Sequence, residues 1–323
     1  MKDISVIGCG RWGTFLAWYA ANRCQDKIQN VLMYDLKTSP NFIELRDTRK
    51  NEYLALSDNM YLFDALDKVL VNDTVIISIG CQHLRSLARE LNGYDLNGKT
   101  FLLAMKGLEE PSAKIMHDVF REEVKQNVHV AVLSGPGHVQ DFTAGIPNCM
   151  VIDSADAALQ DELIRAFSSE LIRFYYGGDL TGNEVGAAAK NVIGIAAGLL
   201  DGCELTSLKG ALMARGTREI SRLIEAMGGD PRSAYGLAHL GDYEATVFSP
   251  HSHNRAFGEA LARGESYTQL AEGAATAQAL CRLSDRLNVE LPICRAVCAV
   301  IYDHADPRQA IFTLFDRALK REI

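Results

Sequence analysis

A lysine set among small and apolar neighbours is the residue best suited to acid–base chemistry in this chain. Lys190 lies within Ala187-Ala188-Ala189-Lys190-Asn191-Val192-Ile193. A cation is costly to bury in such company, so its hold on the proton weakens towards neutral pH. A neutral amine can take the proton of an alcohol while a hydride leaves the same carbon. The other reading is a lysine at a helix edge whose ammonium reaches solvent. A second set of residues suits a phosphate. The apolar run Ile4-Ser5-Val6-Ile7 enters Gly8-Cys9-Gly10-Arg11-Trp12-Gly13, and a helical stretch follows from Thr14. Glycines at this spacing allow a tight turn, a close backbone approach to a pyrophosphate, and close packing of helix on strand. The N–H groups at the helix start then face the phosphates, and the helix dipole favours the anion. A second apolar run, Val31-Leu32-Met33-Tyr34, ends on Asp35. A carboxylate about twenty residues past the last glycine can accept hydrogen bonds from an adenosine ribose.

Further polar segments stand where a core pattern would be apolar. Lys106-Gly107 follows the run Phe101–Ala104, and Ser134-Gly135-Pro136-Gly137 follows a run ending at Leu133. Both lie at predicted C-terminal strand ends, where open α/β sheets bind ligands. Gly241-Asp242 and Ser249-Pro250-His251-Ser252-His253-Asn254-Arg255 are loop-like and dense in donors. Each alone reads more readily as an ordinary turn or a solvated face. Together they offer a Lys, Asp, Asn and Arg set suited to a small hydroxylated anion. His251 and His253 face one way only on extended backbone, and no third ligand accompanies them, so no metal site is expected.

The elements that carry these residues change character along the chain. Strands are predicted at Asp3–Ile7, Val31–Tyr34, Thr74–Ile79, Thr100–Ala104, His129–Leu133, Cys149–Ile152 and Ile172–Tyr175. Helical stretches at Thr14–Arg23, Leu84–Leu91, Ser112–Glu123 and Ala157–Ser169 separate them, with Ser112 as a helix cap after Pro111. Such alternation predicts an α/β domain with a doubly wound parallel sheet, the Rossmann arrangement. Beyond Gly177-Gly178 strand periodicity fades. Long Ala-, Leu- and Ile-rich segments follow, broken at Gly202, Gly228-Gly229-Asp230-Pro231 and Ser249-Pro250. The division is therefore 1–178, a dinucleotide-binding domain, and 179–323, a C-terminal all-helical substrate and catalytic domain. The active site is expected in the cleft between them.

At 323 residues two domains are the default. A net charge of −8 argues against nucleic acid as a partner. The eight cysteines contain no Cys-x-x-Cys pair, and buried thiols in a reducing compartment are the expected reading. The start runs directly into a strand, and no apolar run reaches the length of a membrane span. A cytoplasmic protein is expected. Helical domains rich in Ala and Gly often dimerise, so a homodimer is a further expectation.

These segments, in this order, resemble the NAD(P)-dependent glycerol-3-phosphate dehydrogenases of the bacterial type. The likeness rests on Gly8-x-Gly10-x-Trp12-Gly13-Thr14, Lys106-Gly107-Leu108-Glu109 and Ser134-Gly135-Pro136. It continues through Glu184-x5-Lys190-Asn191-Val192-Ile193 and Gly236-Leu237-x2-Leu240-Gly241-Asp242, and closes with Ala271-Glu272-Gly273 and Glu290-Leu291-Pro292-Ile293. The resemblance implies an enzyme that interconverts sn-glycerol 3-phosphate and dihydroxyacetone phosphate and feeds phospholipid synthesis. It implies that Lys190 is the general base and that Asp242 orients it and contacts substrate hydroxyls. It implies that Lys106 touches cofactor and substrate, and that Gly135, Gly137 and Val139 contribute through the loop after the strand. Arg11 and Trp12 fall at cofactor positions, as do Leu270 and Glu272, and Asn254 matches a substrate contact.

Departures from the family pattern qualify this picture. The family's Ser-Arg-Asn reads Ser252-His253-Asn254; the arginine there serves the substrate phosphate and the cofactor, and an imidazole does not replace its fork of donors. Arg255 is the candidate substitute. Ser207 stands where Asn is common, and His239 where a small residue is usual. All three changes are expected on the substrate side. Asp35 departs from the basic residue that receives a 2′-phosphate, so NAD is expected over NADP, with nearby Lys37 keeping NADP within reach. A different small hydroxylated anion as substrate, and a non-catalytic dinucleotide sensor, are the competing readings.

Overall fold

A computed structural model describes residues 2–319 and residue 321. The chain divides into two compact units, Met1–Lys106 with Lys114–Leu180, and Gly107–Ala113 with Thr181–Ile323. Beside the expected division at 178, the short segment Gly107–Ala113, embedded in the first half, packs with the second unit.

The first unit is built on one eight-stranded sheet in the order β3-β2-β1-β4-β5-β6-β7-β8. Its strands are β1 (Asp3–Ile7), β2 (Asn30–Tyr34), β3 (Met60–Phe63), β4 (Thr74–Ile77), β5 (Thr100–Leu103), β6 (His129–Ser134), β7 (Asn148–Asp153) and β8 (Ile172–Tyr176). Helices α1 (Arg11–Arg23), α2 (Pro40–Thr48), α3 (Leu66–Val69), α4 (Leu84–Leu91), α5 (Met116–Glu123), α6 (Val139–Thr143) and α7 (Ala157–Phe167) join them. Strands β1 to β6 are parallel. The chain winds outward from β1 in both directions, so the loop after β1 lies where the strand order reverses, the position at which doubly wound sheets bind ligands.

The expected doubly wound parallel sheet is present, with one antiparallel pair towards one edge. β7 pairs antiparallel with β6 and parallel with β8. The β6–β7 connection holds only the five-residue α6, so no long helix carries the chain back across a face of the sheet there, as βαβ crossovers usually do. β4 and β5 are buried along their whole length and read as continuous apolar runs, as strands covered on both faces should. Ser112 does not cap α5. The helix starts at Met116, and the Ser112 hydroxyl instead donates to Glu109 within the segment that belongs to the second unit.

The second unit is helical: α8 (Leu180–Gly202), α9 (Lys209–Ala226), α10 (His253–Arg263), α11 (Glu272–Leu287), α12 (Pro292–Tyr302) and α13 (Pro307–Phe312). Every residue of α8 from Gly182 to Leu200 is buried. Its small residues are what permit this. A Cβ on Gly198 would lie 1.9 Å from the Arg255 carbonyl oxygen of α10, so the two helices meet backbone to backbone there. Among the described residues no helix is long and apolar enough to cross a membrane.

Candidate active site

In the first unit the glycine turn has the geometry its spacing predicts. Gly8 takes φ +108°, and a Cβ there would lie 2.1 Å from the Ser78 carbonyl oxygen. A Cβ on Gly13 would lie 2.0 Å from the Gly8 carbonyl oxygen, so α1 packs tightly on the turn. Gly10 faces open space. It sits at the N-cap of α1, where no side chain caps the helix. A helix start without a side-chain cap has the form that favours an anion. Asp35, at the end of β2, is bound into this turn: its Oδ2 accepts the Cys9 N–H at 2.9 Å, and its Oδ1 accepts the Leu36 N–H at 2.7 Å. Trp12, next to half-buried Arg11, stacks on Phe15 with ring centroids 5.1 Å apart, and its Nε1 is buried without a hydrogen-bond partner.

Further along the same sheet edge, Lys106 donates to the Gly135 carbonyl at 2.7 Å. Gly135 and Gly137 have φ of +125° and +150°, and they lead into α6. Val139, the first residue of α6, is buried in the core, so a contact with a ligand there would use its backbone. The Trp12 and Phe142 rings, 6.4 Å apart, connect the glycine turn to this loop. These residues fit a dinucleotide: uncapped amides stand at a helix start, a carboxylate is fixed beside them, and a buried indole N–H has no partner.

In the second unit Lys190 is buried, with 9% of its surface exposed. Little of it reaches solvent, and it is not isolated among apolar groups. Its ammonium lies 2.9 Å from Asp242 Oδ2 and donates to Thr246 Oγ1 at 2.9 Å. A carboxylate at this distance favours the charged form of an amine, and burial disfavours it. Asp242 is 1% exposed. Thr246 donates onward to the Asp242 carbonyl at 2.7 Å. Glu244–Phe248 forms a single π turn, a local irregularity that aims Thr246 at Lys190.

Asn254 joins this group. Its Oδ1 accepts the Gly273 N–H at 2.9 Å, and a Cβ on Gly194, one turn beyond Lys190, would lie 3.3 Å from Asn254 Cβ and 2.6 Å from Thr246 Cγ2. A Cβ on Gly273 would in turn lie 2.7 Å from the Asn191 carbonyl oxygen. The start of α11, with Glu272 as its first residue, is thereby brought to the same stretch of α8.

Other expected residues lie elsewhere. Arg255 is not available as a substitute phosphate ligand. Its Nη1 binds Asp201 at 2.7 Å and Glu259 at 3.2 Å, and its Nε donates to the Ser249 carbonyl at 3.1 Å. Asp201 lies about three turns of α8, roughly 16 Å, beyond Lys190. Burial works to raise the Asp201 carboxyl, yet Lys209 and Arg255 hold it below the usual value. Ser252 spends its hydroxyl on the N-cap of α10. His253 is half-buried, with Nδ1 3.0 Å from the Tyr267 hydroxyl. Leu270 is 73% exposed. The three departures fall on three different elements. Ser207 is exposed beyond the end of α8, His253 opens α10, and His239 is buried against Gly186. Among the described residues no group of three or more His, Cys, Asp or Glu is arranged to hold a metal ion. Thr246 was not singled out from the sequence. Its only signal is a hydroxyl four residues past Asp242.

A doubly wound sheet with this turn at its switch point defines a dinucleotide-binding protein. The sequence patterns of the N-terminus and C-terminus of NAD-dependent glycerol-3-phosphate dehydrogenase match residues 3–160 and 179–312. The chain belongs to that family. It is 34% identical over 337 residues to glycerol-3-phosphate dehydrogenase [NAD(P)+] of Fusobacterium nucleatum, covering 100% of this chain and 99% of that protein. The enzyme of the same name from Prosthecochloris aestuarii is 34% identical, covering 99% of each. The crystal structure of glycerol-3-phosphate dehydrogenase from Coxiella burnetii superposes with a TM-score of 0.90 at 26% identity, over 98% of this chain and 99% of that one.

Proposed function

We propose that this chain interconverts sn-glycerol 3-phosphate and dihydroxyacetone phosphate with NAD as its preferred coenzyme. The observation that carries the reading is the buried Lys190–Asp242 pair with Thr246 and Asn254 beside it. The first unit holds the dinucleotide through Gly8, Gly10 and Gly13, the amides of Arg11 and Trp12, and Asp35. When bound, the nicotinamide ring accepts or returns a hydride. In oxidation Lys190 takes the proton of the C2 hydroxyl. In reduction the Lys190 ammonium gives a proton to the forming alkoxide at C2. Asp242 holds the amine in place and accepts from the substrate's hydroxyls, and Thr246 fixes the direction of the Nζ–H bonds. Lys106, with the Gly135–Gly137 loop, and Asn254 receive the phosphate and hydroxyl oxygens. All eight cysteines are free thiols, as a reducing compartment maintains, which supports a cytoplasmic place.

Asp35 supports NAD over NADP. Fixed by Cys9 and Leu36, its carboxylate repels a 2′-phosphate and suits a free ribose diol. Steady-state reduction of dihydroxyacetone phosphate with each coenzyme tests both the substrate and the coenzyme preference. The expected kcat/KM favours NADH by about tenfold or more, since one unfavourable charge contact of about 1.4 kcal/mol has that effect. An equal or reversed ratio removes the NAD preference. Absent turnover alongside normal NADH binding would assign the chain to another small hydroxylated anion.

That second reading has its own observation, because His253 has replaced the family arginine and Arg255 is committed to Asp201. His253→Arg restores a guanidinium at the start of α10. The KM for dihydroxyacetone phosphate is expected to fall about tenfold, the scale of one hydrogen bond to a charged group. An unchanged or raised KM would show that the natural substrate places no phosphate there.

A further inference from the structure

Three residues before Asp242 lies His239, fully buried. Its Nδ1 is 2.8 Å from the Gly186 carbonyl oxygen, and its Nε2 is 2.7 Å from the Tyr243 hydroxyl. The His239 and Tyr243 rings meet edge to face, with centroids 4.8 Å apart. These partners assign the tautomer. A carbonyl only accepts, so Nδ1 carries the proton and donates; Nε2 of the neutral ring then accepts from the Tyr243 hydroxyl. Burial pushes the imidazole down to about 4, although the Gly186 carbonyl and the Asp242 carboxylate pull it upward. The ring is therefore neutral near pH 7.

What the ring connects gives it a role. Gly186 lies one turn before Lys190 in α8, and its carbonyl is the helical acceptor of the Lys190 backbone N–H. Tyr243 directly follows Asp242, and the His239 carbonyl accepts the Asp242 N–H at 3.0 Å. One imidazole thus joins the helical turn that presents the lysine to the segment that presents the carboxylate. Gly186 makes room for it: a Cβ there would lie 2.9 Å from His239 Cβ. The charged groups that face the ring are Asp242 and Lys190. Tyr243, on its far side, is neighboured by Thr217, Cys294 and Glu219.

We propose that His239 is a positioning residue, a clamp between the Gly186 carbonyl and the Tyr243 hydroxyl that sets the approach of Asp242 to Lys190. The proposal rests on the acid–base roles given above to that pair. A small residue at this position spans neither partner, so the clamp belongs to this chain's own sequence.

The test compares His239→Ala, His239→Asn and Tyr243→Phe with the unaltered protein. Reduction of dihydroxyacetone phosphate is followed from about pH 5.5 to 9, the range in which a general acid or base shows its limbs, and NADH binding is followed by fluorescence. The alanine variant is expected to bind NADH normally and to lose about tenfold or more in kcat. The limb of its pH profile set by the Lys190–Asp242 pair is expected to move by about half a unit or more. His239→Asn, whose amide reproduces the Nδ1 donor, is expected to recover most of the kcat. Tyr243→Phe removes one hydroxyl and little volume; it covers an alanine variant that does not fold, with a smaller change in the same direction. Normal kcat and an unmoved limb overturn the clamp, as do losses confined to melting temperature. If the unaltered protein binds NADH but does not turn over dihydroxyacetone phosphate, the functional reading fails separately. The clamp is then read by 15N NMR of lysine-labelled protein, with the Lys190 signal assigned by Lys190→Met. A Lys190 titration that His239→Ala leaves unmoved rejects it.

Discussion

Lys190→Ala is expected to lower turnover of dihydroxyacetone phosphate by at least about a hundredfold, while NADH binds as tightly as before. The lysine is the buried amine that meets Asp242 and Thr246, whereas the glycine turn and Asp35 belong to the first unit. Proton transfer and coenzyme affinity should therefore separate. Removing one member of a buried ion pair leaves the other charge uncompensated, at a cost of about 3–5 kcal/mol. The double variant Lys190→Ala with Asp242→Asn controls for this, because it should recover thermal stability without recovering turnover. Steady-state rates and fluorescence titration check both points. Near-normal turnover in the single variant would take Lys190 out of the mechanism.

Asp242→Asn acts on the same proton from the other side. Without the carboxylate at 2.9 Å, the buried ammonium loses its opposite charge, so the amine gives up its proton at lower pH. An opposite charge at this range shifts a group by about 1–3 pH units. The rising limb of kcat/KM for glycerol 3-phosphate oxidation should accordingly move to lower pH by at least about one unit. The maximum should nonetheless fall by about a hundredfold, because the lysine loses its orientation and the substrate loses an acceptor. A pH–rate profile measures both. A limb that stays in place would show that another group titrates there.

Much of the first unit was legible because its signals are local. A strand, a glycine turn, a helix and an acid in a fixed order can have few other shapes, and Gly8, Gly13 and Asp35 lie where that order puts them. The direction of β7 was not read, since apolar alternation carries no sense of direction. The lack of a long helical stretch between Leu133 and Cys149 was the available signal. β3 was missed because Met60–Phe63 is short and only its first residue is buried. α2 was missed although Ser39-Pro40 is a helix start signal. In the second unit the residue pattern alone pointed to Lys190, and its pairing with Asp242 was implied only by the family resemblance. The contact depends on how Gly194 lets the π turn approach α8, a matter of packing rather than of pattern. Arg255 was misjudged for the same reason. Its proximity to Asn254 in sequence says nothing about Asp201, which captures it from another helix.

The segment Gly107–Ala113 carries a consequence for how the polypeptide is made. Its anchors are Arg282, which donates to the Glu110 carbonyl at 2.8 Å, and Arg286, which donates to the Ser112 carbonyl at 3.2 Å. Both arginines emerge from the ribosome long after the segment itself, with sequence separations of 172 and 174. The nascent N-terminal half must therefore hold a strap whose buckle has not yet been synthesised. Contacts of such long range form slowly, so maturation of the second unit awaits nearly the last helices of the chain, and a fragment ending near Leu180 would carry the strap with nothing to fasten it.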